Sequence, residues 1–449
     1  MNHYSKYTIQ IVCKSKEKGV EKIIEVETKE IKRVNSILDL GLRHQEQIEI
    51  IKKIQDEVLA LQSPQLSEKI NKCPKCGGKL QKRGYKESDF HSVFTDHKIK
   101  VQRQQCSKCK WNSIPSVKSL LKTAIHPDLS KLQCEMGAEH SYRDTQKILN
   151  AQSYVKRAIN NHEQIHAIIE KVGSYIAETM DNENVKNIPV AKELIAQIDG
   201  GHIKDKEPDK RSFEAMTSII YKPENIIKKG KKNVLVSKHC ASSALSDGQE
   251  YMKKATLIAA KKQGLSKETE VTALCDGASN CWEIAESLKS YCGKFTGILD
   301  WFHIGMKFNN ISLAKTQKEK LEKVKWCLWH GNVDKAFEKL DTLIGKVKNT
   351  SKVLKLSKLK NYISNNRQYI VNYNDRRDAK LPYTSHLAES TVESLINQRC
   401  KGQQHMRWSR IGLHYLLQIR AYFSGNDWNL NCMEKIMGSV LNMYKVSNL

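Results

Sequence analysis

The sequence lacks a long apolar run. No stretch approaches the ~20 consecutive apolar residues that a membrane-spanning helix needs. Its start, MNHYSKYTIQIVCKSKEKG, also lacks the apolar segment of a signal peptide. We find no internal repeat and no low-complexity segment. The sequence therefore predicts a globular cytoplasmic protein that does not enter a membrane.

Acidic residues are scarce relative to basic ones. The chain has 75 Lys and Arg against 49 Asp and Glu, a formal net charge of +26, and the basic excess is spread along its length. Such an excess favours a polyanionic partner. Nucleic acid is the first candidate, and an anionic membrane surface is the second.

Few of the cysteines are regularly spaced. The 13 cysteines are an odd number and mostly stand singly, which is typical of a reducing cytosol rather than of a disulfide framework. The exception is the two Cys-x-x-Cys pairs Cys73 with Cys76 and Cys106 with Cys109. Four thiolates aimed at one point form a closed, structural zinc site without a catalytic role. Two disulfides, or a chance arrangement in a cysteine-rich chain, are the alternatives.

With 449 residues the chain exceeds one typical domain, so several units are expected. Changes of pattern divide it into six regions. These are 1–70 with an amphipathic helix over about 36–62, 71–115 with the zinc ribbon, 120–185 with a helix-turn-helix candidate, 190–304 with alternating strands and helices, 305–384 as an all-helical block, and 385–449 as a helical, basic C-terminal region.

The helix-turn-helix candidate lies in residues 142–161, where two short helical patterns are separated by a break near 150–153. In such a motif the second helix enters the major groove of DNA. Here that helix would present Lys156, Arg157, Asn160 and Asn161, whose side chains can contact phosphates and base edges. Two ordinary helices joined by a turn explain the pattern equally well.

Residues 190–304 change to the pattern of a mixed α/β fold. Helices are expected over about 247–264 and 280–291, each followed by a strand. The five apolar runs that predict strands are Leu194–Ile198, Phe213–Tyr221, Val234–Ala241, Val271–Cys275 and Phe295–Leu299.

Three of these predicted strands end in an aspartate, namely Asp199, Asp276 and Asp300. Ligands gather at the carboxyl ends of strands in α/β sheets, and glycines after Asp199 and Asp276 allow a close approach to the backbone. A single aspartate at such a position is as often a turn or cap residue. Three such aspartates in a strongly basic chain indicate a site for divalent cations. Two such ions can stabilise the attacking and the leaving oxygen when a phosphodiester is cleaved.

A further ligand is expected from the last helical segment. Glu389, Glu393, Asn397 and Lys401 recur every four residues and share one helix face, so two glutamates compete for this role, and a solvated stripe is the alternative. A cationic and aromatic patch downstream suits a DNA strand. Its members are Arg399, Lys401, Arg407 and Trp408, together with Arg410.

Four stretches together resemble a known family: IDGGHIK, ALCDGASNCW, GILDWFH and ESTVESLINQRCKGQQHMRWS, from about residue 194 to 420. They are similar to the DDE transposases of bacterial insertion sequences, close to the Mutator-like branch, which carry an RNase H-like core. The resemblance implies that Asp199, Asp276 and Glu393 are catalytic and bind Mg²⁺ or Mn²⁺. It also implies that Asp300 and His303 form a supporting Asp-x-x-His element.

The resemblance further implies an all-helical insertion between Asp300 and Glu393, in which Trp326 and Trp329 would either stack on an unpaired base or belong to the core. The expected partners are the double-stranded DNA of transposon ends and target, with a homo-oligomer on the DNA in the bacterial nucleoid. Water would cut a phosphodiester, and the freed 3′-hydroxyl would attack the target without a covalent protein intermediate. A nuclease that cuts without joining and a DNA-binding regulator with an inactive core are the alternatives.

Overall fold

The computed structural model describes residues 7–17, 20–68, 70–180, 185, 188–230, 232–385, 393–401, 406–425, 427–428 and 430–440. The chain divides into two compact units. The first unit contains Met1–Val172 and Leu430–Leu449, and the second contains Gly173–Asn429. Within the described ranges, no helix combines the length and the apolar character that crossing a bilayer requires.

The first unit begins with a two-stranded antiparallel sheet, followed by a long helix and a second antiparallel hairpin. The long helix starts at His44 rather than near Ser36, because Ser36 and Asp39 form a capping box on a separate 3₁₀ turn. It packs on the second hairpin, where a small core forms around Ile99 and Val101. The elements are β1 Thr8–Glu17, β2 Val20–Glu30, α1 His44–Glu68, β3 Leu80–His91 and β4 Asp96–Cys106.

The remainder of the first unit is helical. α3 Pro127–Glu139 ends with His140 as its C-cap, and Ser141 is the N-cap of α4 Tyr142–Gln152, which ends close to the predicted break. The next helix starts only at His162, because a positive φ at Tyr154 and a 3₁₀ turn at Ala158–Asn160 occupy the intervening segment. The helices are α2 Val117–Leu121, α3 Pro127–Glu139, α4 Tyr142–Gln152 and α5 His162–Thr179. The last turns of α5 belong to the second unit, and a further helix of the first unit is Leu430–Val440.

The second unit is built on a five-stranded mixed sheet with the order β11-β10-β5-β6-β9. β5, β6 and β9 are antiparallel neighbours, whereas β10 and β11 run parallel to β5. The mixed α/β fold predicted from the sequence is confirmed. The strands are β5 Glu193–Lys204, β6 Ser212–Tyr221, β9 His239–Ser243, β10 Glu270–Cys275 and β11 Lys294–Leu299.

The prediction of one strand over Val234–Ala241 is wrong. Its first half belongs to β8 Lys232–Leu235, which pairs with β7 Ile226–Lys229 in a separate hairpin. Val234 and Val236 are exposed, so this apolar run does not enter the sheet as one piece. Only the part from His239 onward joins the edge of the sheet.

Helices complete the second unit. α6 and α7 connect strands of the sheet, and a block of five helices follows β11 within the described part of residues 300–385. A π-helical segment at Glu393–Gln398 comes next. The helices are α6 Glu250–Lys262, α7 Ser279–Glu286, α8 Trp301–Asn309, α9 Lys315–Trp329, α10 Val333–Lys346, α11 Thr350–Asn365, α12 Tyr373–Asp378 and α13 Arg410–Ser424, and α14 Leu430–Val440 belongs to the first unit.

Candidate functional site

The three predicted aspartates lie side by side at one edge of the mixed sheet. In the parallel pairing, Cys275 is opposite Ile198 on one side and Leu299 on the other. The next residue of each strand is Asp276, Asp199 and Asp300 respectively. Neighbouring strands lie about 4.8 Å apart, so the register brings three acids together with Asp276 in the middle.

Asp300 is fully buried and is held by several hydrogen-bond donors. It accepts hydrogen bonds from His303 Nδ1 at 2.7 Å, from the Ser385 hydroxyl at 2.5 Å and backbone N–H at 3.0 Å, and from the Phe302 N–H at 3.1 Å. Burial alone would raise the pKa of Asp300, but the bonds from His303 and Ser385 outweigh it and lower the pKa. Burial would lower the pKa of His303, yet its bond to Asp300 raises it. The two side chains therefore form a positioned ion pair.

Asp199 and Asp276 are only half-buried. One carboxylate oxygen of each accepts a hydrogen bond from a nearby backbone N–H. The donor is Gly200 for Asp199, at 2.8 Å, and Ala278 for Asp276, at 2.9 Å. Burial raises the pKa of Asp199; the nearby His303 lowers it in part, while the negative charges of Asp276 and Asp300 raise it further. Carboxylates that repel one another in this way would be stabilised by a cation, and their hard oxygen atoms suit Mg²⁺.

The segment that carries Glu393 packs on the same face of the sheet as Asp199. Side chains alternate along β5, so Asp199 and Gly201 share a face. A Cβ on Gly201 would lie 3.4 Å from Lys401 Nζ and 3.8 Å from Asn397 Oδ1. Asn397 in turn donates a 2.5 Å hydrogen bond to Glu393, which is itself exposed.

The structure does not bring Glu393 into a preformed metal cluster with the aspartates. Among the residues that the structure describes, the only group of three or more candidate metal-ligating side chains is formed by cysteines. Glu389 lies outside the described residues, so the choice between the two glutamates stays open.

Glu214 is a carboxylate near this site that the sequence reasoning missed. It lies on β6, where its Oε1 is 2.7 Å from the point that a Cβ on Gly200 would occupy. Its Oε2 accepts a 2.7 Å hydrogen bond from Asn280 Nδ2. Since Gly200 and Asp199 alternate along the strand, Glu214 lies on the opposite face of the sheet from Asp199. In the sequence, Glu214 stands out only as a single acidic residue within the apolar run that forms β6.

The Asp276 loop is fastened by the helical block that follows the sheet. Tyr362 on α11 donates a 2.7 Å hydrogen bond to the Asp276 carbonyl, and Asn366 donates to the Gly277 carbonyl at 3.2 Å. Trp282 Nε1 donates to Asn366 Oδ1 at 2.8 Å. Gly277 has φ +97°, and a Cβ there would lie only 2.7 Å from the Tyr362 ring. The glycine after the acid therefore makes room for α11.

The two tryptophans of the helical block have different environments. Trp329 is 6% exposed and packs against Trp301, Tyr373 and Tyr383, which makes it a core residue. Trp326 is 57% exposed. Only Trp326 offers an accessible ring for stacking.

Two of the residues predicted to contact DNA from the helix-turn-helix candidate are buried, so that prediction is wrong for them. Arg157 is 2% exposed, and its guanidinium donates to Asp96 at 2.6 Å and to the carbonyls of Ser92, Val93 and Thr95 at 2.7–3.0 Å. Asn160 is fully buried. A guanidinium fork fits a cage of carbonyls as well as a phosphate, so residue type alone did not distinguish the two. Lys156 is exposed.

The patch predicted after Glu393 is also only partly accessible. Arg399 is buried, and its guanidinium lies 5.1 Å from the ring centre of the buried Trp408. The Trp408 indole donates to the Cys400 carbonyl at 3.3 Å. Arg399 and Trp408 therefore belong to the core of the second unit, which corrects the prediction, whereas Lys401 and Arg407 are exposed.

The four cysteines of the predicted ribbon form a compact cluster in the first unit. Cys73 Sγ is 3.5 Å from Cys109 Sγ, Cys76 Sγ is 3.5 Å from Cys106 Sγ, and all four sulfur atoms lie within 4.8 Å of one another. A tetrahedron of ~2.3 Å Zn–S bonds places sulfur atoms about 3.8 Å apart, so the cluster can hold a metal ion such as zinc. The observed separations are much longer than the ~2.05 Å of a disulfide bond.

The described chain is thus a mixed α/β protein with a five-stranded mixed sheet, a row of aspartates at its edge and a separate cysteine cluster that can hold a metal ion. The model of an uncharacterised protein family, UPF0236, matches residues 121–436, and the chain belongs to this family. No curated protein matches the chain.

Proposed function

We propose that the protein is a DDE transposase, which cleaves DNA at the ends of an insertion sequence and joins the freed ends to target DNA. The observation that carries this proposal is the register of β5, β10 and β11, because it aligns Asp199, Asp276 and Asp300 on adjacent strands. The mixed sheet supports the RNase H-like core that the sequence resemblance implied.

The aspartates have different roles in this proposal. Asp199 and Asp276 hold Mg²⁺ or Mn²⁺, since they are half-buried and each carboxylate is oriented by a backbone N–H. When bound, such ions stabilise the attacking and leaving oxygens of a phosphodiester. Asp300 is saturated by His303, Ser385 and Phe302, so it positions His303 and the start of α8 rather than binding the cation.

Glu393 is the proposed third acid. Its segment packs beside Gly201, on the face of β5 that carries Asp199. Glu393 is not clustered with the aspartates, so in this proposal its segment moves toward them when DNA and cation bind. In the structure its carboxylate accepts a hydrogen bond from Asn397. A strand of DNA would then contact the exposed Lys401 and Arg407, which release counterions from its phosphates.

The first unit supplies recognition of the transposon ends in this proposal. The cysteine cluster binds a structural Zn²⁺, and the helical region with α4 and α5 contacts the DNA, with Lys156 on the exposed connection between these helices. A homo-oligomer assembled on double-stranded DNA carries out the two steps.

Cleavage of duplex DNA by single-residue variants tests the proposal. The DNA that flanks the coding region is first searched for short inverted repeats. A plasmid that carries these repeats is then the substrate. Asp199→Asn, Asp276→Asn and Glu393→Gln should each lower Mg²⁺-dependent cleavage by about a thousand-fold or more while DNA binding is retained. Asp341→Asn, which removes an exposed carboxylate paired with Lys360, is the control and should cleave normally.

The products distinguish the alternatives. Cleavage without any joined product would indicate a nuclease. Binding without cleavage by the unaltered protein, in Mg²⁺ and in Mn²⁺, would indicate a regulator with an inactive core. Either result overturns the transposase proposal.

A further inference from the structure

Helix α1 has two apolar faces, and among the residues that the structure describes only one of these faces is covered. On the inner face, Leu59 and Leu66 pack against the core around Ile99 and Val101 of β4. A second face, roughly a third of a turn away around the helix, remains exposed. Its apolar side chains, called here the outer seam, are Ile51 (44% exposed), Ile54 (38%), Val58 (39%) and Leu61 (45%).

The spacing of the outer seam is that of a helix-pairing surface. Its members follow one another at intervals of three, four and three residues, which is the alternation of a and d positions in a heptad. A helix that is apolar on two faces is normally enclosed on both. The seam therefore fits another helix with the same spacing.

More apolar surface lies next to the seam. A groove of about 370 Å³ lies between the β1–β2 hairpin, the loop after it and the start of α1, and is lined by Ile9, Ile31, Leu38, Leu40 and Ile50. Of the 30 exposed large apolar residues in the described part of the chain, 14 lie between Tyr7 and Leu61. Ten of these 14 belong to the outer seam or line the groove, and their exposed side chains offer on the order of 800 Å², which is about the area per partner of a standard interface.

The charge of this region differs from that of the rest of the chain. Residues 1–68 contain 11 Lys and Arg and 11 Asp and Glu, so the net charge of +26 lies entirely in the residues after 68. Charged side chains around α1 are paired inside the unit, as in Lys53 with Glu27, Lys52 with Asp56, and Lys29 with Glu46. An electrically neutral, apolar surface does not suit DNA, and it suits a neutral partner with a matching seam.

We infer that the outer seam is a dimerisation surface, on which α1 of one chain pairs with α1 of a second copy. A second copy has the required seam spacing and neutrality, and two identical helices can form a self-complementary two-fold interface. The inference does not depend on the proposed chemistry, since the seam and the aspartates are in different units.

The molar mass of the full-length protein in solution, without DNA, tests the inference. The unaltered protein should be a dimer at about 10 µM, whereas the double variant Ile54→Glu with Val58→Glu should be a monomer, its dimer dissociation constant raised by a hundred-fold or more. The matched control is Tyr85→Glu with Ile114→Glu, which places two glutamates on exposed apolar positions elsewhere in the same unit and should leave the dimer intact.

A charge swap tests whether the seam faces its own copy. A second double variant, Ile54→Lys with Val58→Lys, should also be monomeric, and mixing it with the glutamate variant should restore a dimer of mixed composition. Circular dichroism and metal content verify folding, and the corresponding serine variants replace any charged variant that fails to fold.

Three results would overturn the inference. They are a monomeric unaltered protein at 50 µM, a dimer that persists in both charged variants, and a mixture of the two that stays monomeric. Because no DNA or Mg²⁺ is present, failure here leaves the proposed cleavage activity intact, and the reverse also holds.

Discussion

At the scale of single residues, several arginines of this basic protein stabilise the fold instead of facing solvent. Arg157 is enclosed by Asp96 and three loop carbonyls in the first unit. In the second unit, the Arg399 guanidinium lies 5.1 Å from the ring centre of Trp408, and Arg420 donates to the Leu395 carbonyl at 2.8 Å. Burial of Arg157 and Arg420 is tolerated because carbonyl and carboxylate acceptors match their donors, whereas the contacts of Arg399 include the Met406 sulfur and the Trp408 ring.

Replacing Arg157 with Ala should therefore act on stability. We expect the free energy of unfolding of the first unit to fall by about 2–4 kcal/mol, since several carbonyls lose a charged donor, with the ion pair contributing little because Asp96 is nearly half exposed. Hydrogen exchange of the β4 amides measures this change. Lys156→Ala, one position away and exposed, should change stability by less than ~0.5 kcal/mol. Weaker DNA binding by a fully stable Arg157→Ala protein would contradict this expectation.

At the scale of elements, the helical block after β11 holds the sheet edge that carries the aspartates. α11 contacts the Asp276 loop through Tyr362 and Asn366, and Tyr373 on α12 donates a 2.7 Å hydrogen bond to the Leu299 carbonyl, next to Asp300. Two of the three acid-bearing strand ends are thus fixed by side chains that come from 60 or more residues later in the chain. The block therefore has a positioning role for the candidate site, besides any contact with DNA.

Gly277 is the point where this packing is tightest. Gly277→Ala should destabilise the second unit by about 3 kcal/mol or more, because alanine is strained at φ +97° and its Cβ would overlap Tyr362, Asn366 and Leu299. Urea unfolding followed by tryptophan fluorescence measures the loss. The matched control is Gly230→Ala, at φ +61° with no atom within 4 Å of the added carbon, which should cost about 1 kcal/mol. Equal losses at both positions would show that packing by α11 contributes nothing.

At the scale of the whole molecule, the cysteine cluster and the aspartate row belong to separate compact units. Beside the ribbon, the first unit has only a small core around Ile99, Val101 and Val117, so we expect a bound metal ion to supply much of the stability of the ribbon. The second unit has a five-stranded sheet buried by helices. Removing the metal should therefore affect the two units differently.

Chelation should unfold the ribbon and spare the sheet. We expect the amides of residues 73–111 to lose protection from hydrogen exchange after treatment with a strong chelator, while the amides of β5 and β10 keep theirs. Cys76→Ser should lower the metal content from one ion per chain to below about a tenth, and Cys13→Ser, outside the cluster, should leave it unchanged. Equal loss of protection in the sheet would contradict the independence of the two units.

The sequence by itself determined the features that depend on short-range spacing. Two Cys-x-x-Cys turns are sufficient to direct paired thiolates to one point, and apolar runs that end in Asp199, Asp276 and Asp300 predicted acids at the strand ends. Parallel pairing then follows from the alternation of strands and helices, so the aspartate row was predictable without coordinates.

Only the tertiary structure decided which polar residues are buried and which acids meet. Arg157, Asn160, Arg399 and Trp408 have residue types that suit DNA, yet all four are buried. Arg157 pairs with the distant Asp96, and the Trp408 backbone N–H donates to the carbonyl of Lys204 on β5. The proximity of Glu214 to Gly200 and the packing of Asn397 and Lys401 beside Gly201 likewise depend on contacts between distant segments. Local spacing carries no information about such contacts, because burial results from the packing of the whole unit.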